Sequence, residues 1–401
     1  MRCHSSVVDI TVSFAIGISR LTRIIKTCDC QHRGQCIING FGSHYQYYHH
    51  SHQQDRTPLG FNKSFLNCRH HRHLNLLRSC STEMAASSGT VDRQWSDQMF
   101  EVVTWCNSFY SRDSSRSKCK PFFIENHQVG HITPTVLKHL QGYPDVFVIT
   151  KDAASDAVER VSLSPSLKTF EERTSKMAVL LQNVKKLDVF RTLRGWRDEM
   201  YAVSSSYHDV ALMDMERAAT CLFGIKQYGV HMNGYCHHPT KGLCMWVGRR
   251  ASTKSTFPNR LDNVAAGGLP SGMSIKECLV KECAEEASIP ECIAVKAVPA
   301  GAVSYFYEDE RGLFDETQFV YDLELPVDFV PEVNDDEVLE FYLWTIEEVK
   351  AKIATKEFKP NCALIILDFL IRKGHISADN EPNYLRFLQG IHSDDPTKLF
   401  Q

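Results

Sequence analysis

Residues 274–288 read S-I-K-E-C-L-V-K-E-C-A-E-E-A-S, and this stretch constrains the fold more tightly than any other. Ser274 and Glu277 have the S-x-x-E spacing of a capping box, which predicts a helix starting there. At about 100° per residue, Glu286 falls at roughly +40° and Glu285 at roughly −60° from Glu282. The three carboxylates therefore share one arc of about 100°. Ile275, Cys278 and Leu279 lie on the same arc one or two turns earlier. A solvated charged face should oppose the apolar stripe, and these acids extend it. Partly buried carboxylates without partners are costly or take up protons. Lys281 lies near Glu285 on the wheel and cannot neutralise three acids. Two readings follow: an ordinary solvated face, or a site for a hard divalent cation. Alignment with the core stripe favours the cation, because Mg²⁺ and Mn²⁺ take oxygen ligands and bridge carboxylates to phosphates.

The turn A-A-G-G-L-P-S-G at 265–272 enters this helix. Glycines there allow close approach of backbone to a ligand, and a helix N-terminus favours phosphate. An ordinary Gly-rich turn is the plain alternative, and only the combination with the acids carries weight.

The length of 401 residues suits two or three domains. A net charge of −3 gives no argument for nucleic acid or a membrane surface. No stretch approaches the roughly 20 apolar residues of a spanning helix. The fifteen cysteines are scattered without paired spacing, which reads as reduced thiols in an intracellular compartment. Residues 1–82 differ from the rest: three acids against ten Lys or Arg, with His-rich runs such as R-H-H-R-H at 69–73. That composition predicts a disordered leader over 1–92, an organelle transit peptide. The rival is a chain starting at Met84, which opens M-A-A-S-S-G-T. Cys28, Cys30, Cys36 and His32 fit no common zinc spacing.

From about Arg93 the composition is globular. Strands are expected in 121–132 and 146–150, a helix after Thr133-Pro134, a helix over 170–187 and a strand at 199–203. These make an α+β unit over 93–207. It contains R-G-W-R-D-E at 194–199, read as a Trp at a domain junction with salt-bridged neighbours ahead of a substrate contact. Over 208–401, strands at 228–235 and 242–250 are expected to pair antiparallel, with further strands at 293–307, 317–325 and 338–344. Helices near 274–287, 346–354 and 361–373 then imply a sheet sandwiched between helices.

The glycines and K-E-C-A-E-E at 281–286 resemble the Nudix box, G-x5-E-x7-R-E-U-x-E-E-x-G-U, where U is bulky and aliphatic. Lys281 takes the Arg position, Cys283 and Ile289 the aliphatic ones. The loop from Gly-Gly to the helix reads one residue short, Met273 replaces the early Glu, and Ser288 replaces the late Gly. Lys lacks the planar fork with which Arg would orient the neighbouring Glu. W-V-G-R-R-A-S-T-K-S-T-F-P-N-R-L-D-N-V-A-A-G-G, A-G-A-V-S-Y-F-Y, V-Y-D-L-E-L-P, F-K-P-N-C-A and W-R-D-E-x-Y at 196–201 are similar to one Nudix branch. That branch includes plant chloroplast Nudix hydrolases and the Nudix portion of fungal thiamine pyrophosphokinase fusions.

The resemblance implies an α+β chain: a Nudix α/β/α sandwich with a mixed sheet over 208–401, preceded by the smaller domain and the leader. It implies metal-dependent hydrolysis of a small-molecule diphosphate, damaged thiamine diphosphates or nucleoside diphosphate derivatives among them. Mg²⁺ or Mn²⁺ would be held by Glu282, Glu285 and Glu286. Lys281 and Glu285 would belong to the catalytic set. Glu337, in E-V-N-D-D-E-V at 332–338, is a candidate base or extra ligand, or one acid of a polar turn. Arg249 and Arg250 would clamp phosphate, or one is a surface charge, and Gly267 and Gly268 would lie against substrate. No nucleic-acid or membrane partner is expected, and the oligomeric state is open. The location would be the chloroplast if the leader is a transit peptide, and the cytoplasm otherwise. An isopentenyl diphosphate isomerase would need a Cys just before the Gly-rich turn, where this chain has V-A-A at 264–266. A non-catalytic Nudix-fold binding module would be favoured by loss of Glu282 or Glu286, and both are present.

Overall fold

A computed structural model describes residues 29–31, 35–37, 92–334 and 336–393. Asp29–Gln31 and Gln35–Ile37 pair as antiparallel strands. The expected disorder and targeting role of the rest of the leader lie outside the described residues.

Residues 122–225 hold a core of their own. β1 (Lys120–Ile124) and β2 (His127–Ile132) form a hairpin. Thr133 caps α2 (Pro134–Leu140), with Pro134 in its first turn, where no intrahelical N–H is needed. β3 (Phe147–Lys151) and β4 (Val158–Leu163) complete a sheet of order β2-β1-β4-β3. α3 (Phe170–Lys186) opens on a Thr169/Glu172 capping box and packs Met177, Leu180, Leu181 and Val184 into this core. β5 (Met200–Val203) and β6 (Met213–Glu216) form a separate antiparallel pair.

The second sheet is mixed and, among the described residues, seven-stranded. β7 (Lys226–His238) is central. It pairs antiparallel with β8 (Gly242–Arg250) and β10 (Ala265–Gly268), and parallel with β12 (Gly312–Glu324). β9 (Leu261–Asn263) and β13 (Val338–Thr345) flank β8, and β11 (Val298–Asp309) flanks β12. On one face α4 (Ile275–Ala287) buries Cys278, Leu279, Cys283 and Ala287 against Val230, Met232 and Val264. On the other lie α5 (Ile346–Ile353), α6 (Pro360–Arg372) and α7 (Tyr384–Ile391). This is the expected α/β/α sandwich with a mixed sheet.

Helix α1 (Arg93–Cys106) was not expected. Asp92 caps it, accepting from the Trp95 N–H at 3.0 Å, and Trp95, Met99, Val103 and Cys106 are buried. That stripe packs on α6 and α7, so the start of the 93–207 segment shares its core with the C-terminal helices. The expected strand at 293–307 begins later, because Glu291–Ala294 is a helical turn and β11 starts at Val298.

Candidate active site

The capping box that starts α4 is formed: the Glu277 N–H donates to Ser274 Oγ at 3.3 Å and the Ser274 N–H to Glu277 Oε2 at 2.9 Å. The helix ends on Ser288, whose φ of 53° is left-handed. A Gly there would relieve a cost of roughly 1 kcal/mol, which accounts for the glycine of the Nudix pattern.

The three carboxylates do not share one environment. Glu286 is 8% exposed, and its Oε2 accepts from the Ala266 N–H of β10 at 2.8 Å. Glu282 is largely covered, with 14% of its side chain exposed, and Glu285 is open at 52%. The buried stripe runs through Leu279, Cys283 and Glu286, so it is centred nearer Glu286 than the wheel implied. Glu285 is left on the outer edge. Lys281 Nζ donates to Glu285 at 2.7 Å and to Glu282 at 3.2 Å. Burial pulls this ammonium down, yet the two carboxylates hold its pKa above the ordinary lysine value. Burial pushes the Glu286 carboxyl well above the usual range, and the charges of Asp262, Glu282 and Glu337 add to the rise. Glu282 is raised by burial too, partly offset by Lys281. Acids crowded this way, with one lysine among them, suit a bound divalent cation.

Gly267 and Gly268 lie in β10, ahead of the turn. A Cβ on Gly267 would overlap the Glu282 carboxylate. One on Gly268 would overlap the Tyr201 hydroxyl and crowd the Arg217 guanidinium. Both glycines thus make room for side chains, while Gly272, at φ +80°, performs the turn.

Glu337 stands at the start of β13, its carbonyl accepting from the Ala251 N–H at 2.9 Å. Burial raises its carboxyl, but ion pairing with Lys254 outweighs this and holds the pKa below the usual range. Arg249 points away from these acids: Nε donates to the Tyr342 hydroxyl at 2.8 Å and Nη1 to the Asn259 carbonyl at 3.0 Å. Arg250 is near them but committed. Its Nη1 donates to Asp262 Oδ2 at 2.7 Å, and Nε and Nη2 hold the Phe257 and Thr256 carbonyls. Arg250→Ala would leave the buried Asp262 with Lys359 as its one remaining cation and is expected to cost about 3 kcal/mol, read as a lower urea midpoint at unchanged slope.

Next to these residues lies a buried cluster that the sequence patterns did not single out. Donor atoms of His231, Asp262 and Cys362 lie within 4.8 Å of one another, a potential metal-coordinating arrangement. His231 Nδ1 is 2.8 Å from Asn263 Oδ1, and Cys362 Sγ is 2.6 Å from Asp262 Oδ1. Arg250 and Lys359, the latter at 3.6 Å, already supply Asp262 with positive charge. Burial keeps the Cys362 thiol protonated. The cluster therefore has its cations built in, whereas the three acids of α4 share Lys281 alone, which bonds Glu282 and Glu285 and not Glu286.

Ala266, Gly267 and Gly268 line a cavity of about 400 Å³. Its walls come from both cores. Arg197, Tyr201 and Arg217 come from the segment before β7, and Tyr307, Phe314 and Lys359 from the sandwich. Tyr307 and Phe314 stack at 4.7 Å. Glu316 lies within, accepting from Tyr305 Oη at 2.6 Å and Gln318 Nε2 at 2.9 Å. In the R-G-W-R-D-E patch, Trp196 packs on the first core with Lys185 Nζ 4.6 Å over its ring, and Arg194 pairs with Asp188 at 2.7 Å. The patch also opens on this cavity. The density of polar residues around one Trp was the available signal, and spacing alone could not say which way they faced.

A carboxylate helix docked on a mixed sheet, beside a basic and aromatic cavity, defines a class of protein that handles diphosphates. A NUDIX domain profile matches residues 237–362, and a profile described only as a domain of unknown function, DUF4743, matches 98–227. The chain is 40% identical over 300 residues to "Nudix hydrolase 20, chloroplastic" of Arabidopsis thaliana, spanning 74% of this chain and 78% of that one. It is 38% identical over 276 residues to "Nudix hydrolase 24, chloroplastic" of the same plant, spanning 69% and 73%. An uncharacterized Saccharomyces cerevisiae protein is 39% identical over 236 residues, spanning 56% and 68%. The chain belongs to the Nudix hydrolase family, and its activity is hydrolysis of a phosphoanhydride bond. Among the described residues no helix is long and apolar enough to cross a membrane.

Proposed function

We propose that this chain hydrolyses the diphosphate of an organic or nucleoside diphosphate derivative, with Mg²⁺ or Mn²⁺ held by Glu282, Glu286 and Glu285. The observation that carries the reading is Glu286, a buried carboxylate with three acids for electrostatic neighbours and one backbone N–H for a partner. A bound cation would supply neutralisation of the diphosphate and activation of water. The chain's own residues set the rest. Lys281 steers Glu282 and Glu285 through two hydrogen bonds. Glu285 would be a further ligand, and its bond to Lys281 would then be given up. Glu337, kept ionised by Lys254, is the proposed acceptor of the water's proton, or a further ligand. Gly267 keeps the Glu282 carboxylate close against β10. The cavity receives the diphosphate, and its stacked rings meet the organic part.

Oxidised thiamine diphosphate, converted to its monophosphate plus phosphate, is the proposed substrate. The resemblance to the thiamine-linked branch supports it, as does a cavity that joins aromatic rings to cationic groups. Two relatives named as chloroplastic support a plastid location, with residues 1–92 as a transit peptide. Phosphate or monophosphate release from oxothiamine and oxythiamine diphosphates, ADP-ribose and NADH tests the reading, with Mg²⁺ or Mn²⁺ present and after chelation. Metal-dependent turnover strongest for a damaged thiamine diphosphate is expected. Preference for ADP-ribose would keep the hydrolase and discard the thiamine assignment. No turnover of any diphosphate would make the domain a binding module.

A further inference from the structure

Five of the six Lys or Arg side chains lining the cavity are committed to carboxylates. Arg194 pairs with Asp188 at 2.7 Å, Arg217 with Glu199 at 2.8 Å, Lys359 with Asp262 at 3.6 Å and Arg191 with Glu310 at 3.8 Å, and Arg311 is held by Asp309. The sixth is Arg197. Among the described residues its guanidinium has no hydrogen bond and no ion pair.

Its backbone, in contrast, is fixed. The Arg197 N–H donates to Oε1 of the buried Glu216 at 3.0 Å. Trp196 Nε1 donates to Asp198 Oδ1 at 2.8 Å, and Asp198 takes a left-handed φ of 58°. Such a φ is uncommon outside Gly, Asn and Asp. Two residues on, the Met200 carbonyl accepts from the Ser271 N–H at 2.8 Å, tying this segment to the loop that enters α4. Tyr201 occupies the space left by Gly268. Arg197 itself is exposed, at the edge of the cavity it lines, so its unpaired guanidinium is open to a ligand. The turn is built to hold one side chain at the cavity, and the positive field of that side chain reaches Glu337 and Tyr201.

We infer that Arg197 is a substrate-binding residue that grips the diphosphate, so that the segment before the Nudix sandwich completes the active site. The chemistry matches: a guanidinium offers five donors in a planar fork that fits phosphate oxygens. Arg197 and Lys359 line the same cavity, and Lys359 is already paired with Asp262. The inference rests on the diphosphohydrolase reading for what the cavity holds.

Methylenediphosphonate, a non-hydrolysable diphosphate, is the probe, with Mg²⁺ and calorimetric detection. Arg197→Ala is expected to weaken its binding roughly 10- to 100-fold, the worth of a charge-assisted contact. Arg194→Ala, which removes a paired cation of the same cavity, should change it by less than about threefold. Both should melt like wild type, since neither side chain supports a core. If Arg197→Ala fails to fold, Arg197→Lys replaces it; it keeps the charge without the fork and is expected to bind several-fold more weakly. Wild-type affinity in the Arg197 variants overturns the inference. So does a wild type that hydrolyses diphosphates without binding the probe. In both cases metal-dependent turnover lost in Glu286→Gln would leave the hydrolase reading standing.

Discussion

Glu286→Gln is expected to lower kcat by roughly a thousandfold or more, because several kcal/mol of charge stabilisation go with the carboxylate. Without metal, the same change is expected to leave the fold as stable as wild type, or more so. Gln is nearly isosteric, and its amide oxygen can still accept from the Ala266 N–H. It also removes the burial cost of a charge and the repulsion from Asp262, Glu282 and Glu337. The two effects run in opposite directions, which separates a ligand from a structural residue. Thermal melts with and without Mg²⁺ or Mn²⁺ read the second arm. Wild type should be stabilised by the metal through mass action, and Glu286→Gln should lose that response. A variant that melts low, or one that keeps both turnover and metal response, would sink the assignment. Arg250→Ala is the useful contrast, since its loss should appear in stability first.

Much of this was legible in the sequence because it is local. The capping box at Ser274 and Glu277, the Pro134 helix start and the antiparallel pairing of β7 with β8 each follow from neighbours a few residues apart. The helical wheel placed Glu282 and Glu286 on the inner face and failed for Glu285, because a wheel gives angles but not the centre of the buried face. That centre is set by β7 and β10, which approach from elsewhere in the chain. Helix α1 shows a different limit. Its stripe of Trp95, Met99, Val103 and Cys106 has helical spacing, yet its partner helices lie more than two hundred residues away. Arg249 and Arg250 read alike as a pair of phosphate clamps. The structure spends one on Tyr342 and the other on Asp262, choices made by β13 and β9 and invisible in R-R. The cavity itself joins side chains from Arg191 to Asn361, and no motif spans that distance.

Gly267→Ala is expected to cost at least roughly a hundredfold in kcat/KM, with the chain still folded. The added methyl would stand where the Glu282 carboxylate now lies, so the carboxylate must swing away from β10. A displacement near 1 Å at a catalytic group costs on the order of a hundredfold. The backbone tolerates the change, because Gly267 is in extended pairing with Val230 and needs no left-handed φ. This also settles the spacing. Counted from Gly267, five residues precede Met273 and the loop has the full Nudix length; it is short only when counted from Gly268. Gly268→Ala should behave differently. Its methyl meets Tyr201 and Arg217, which belong to the other core, so the damage falls on the joint that carries Arg197. Gly267→Ala should therefore weaken metal-dependent stabilisation and leave Mg²⁺-independent folding intact. Gly268→Ala should raise KM for the diphosphate more than it lowers kcat. Two adjacent glycines giving the same kinetic signature would mean that neither carboxylate position nor joint is what they protect.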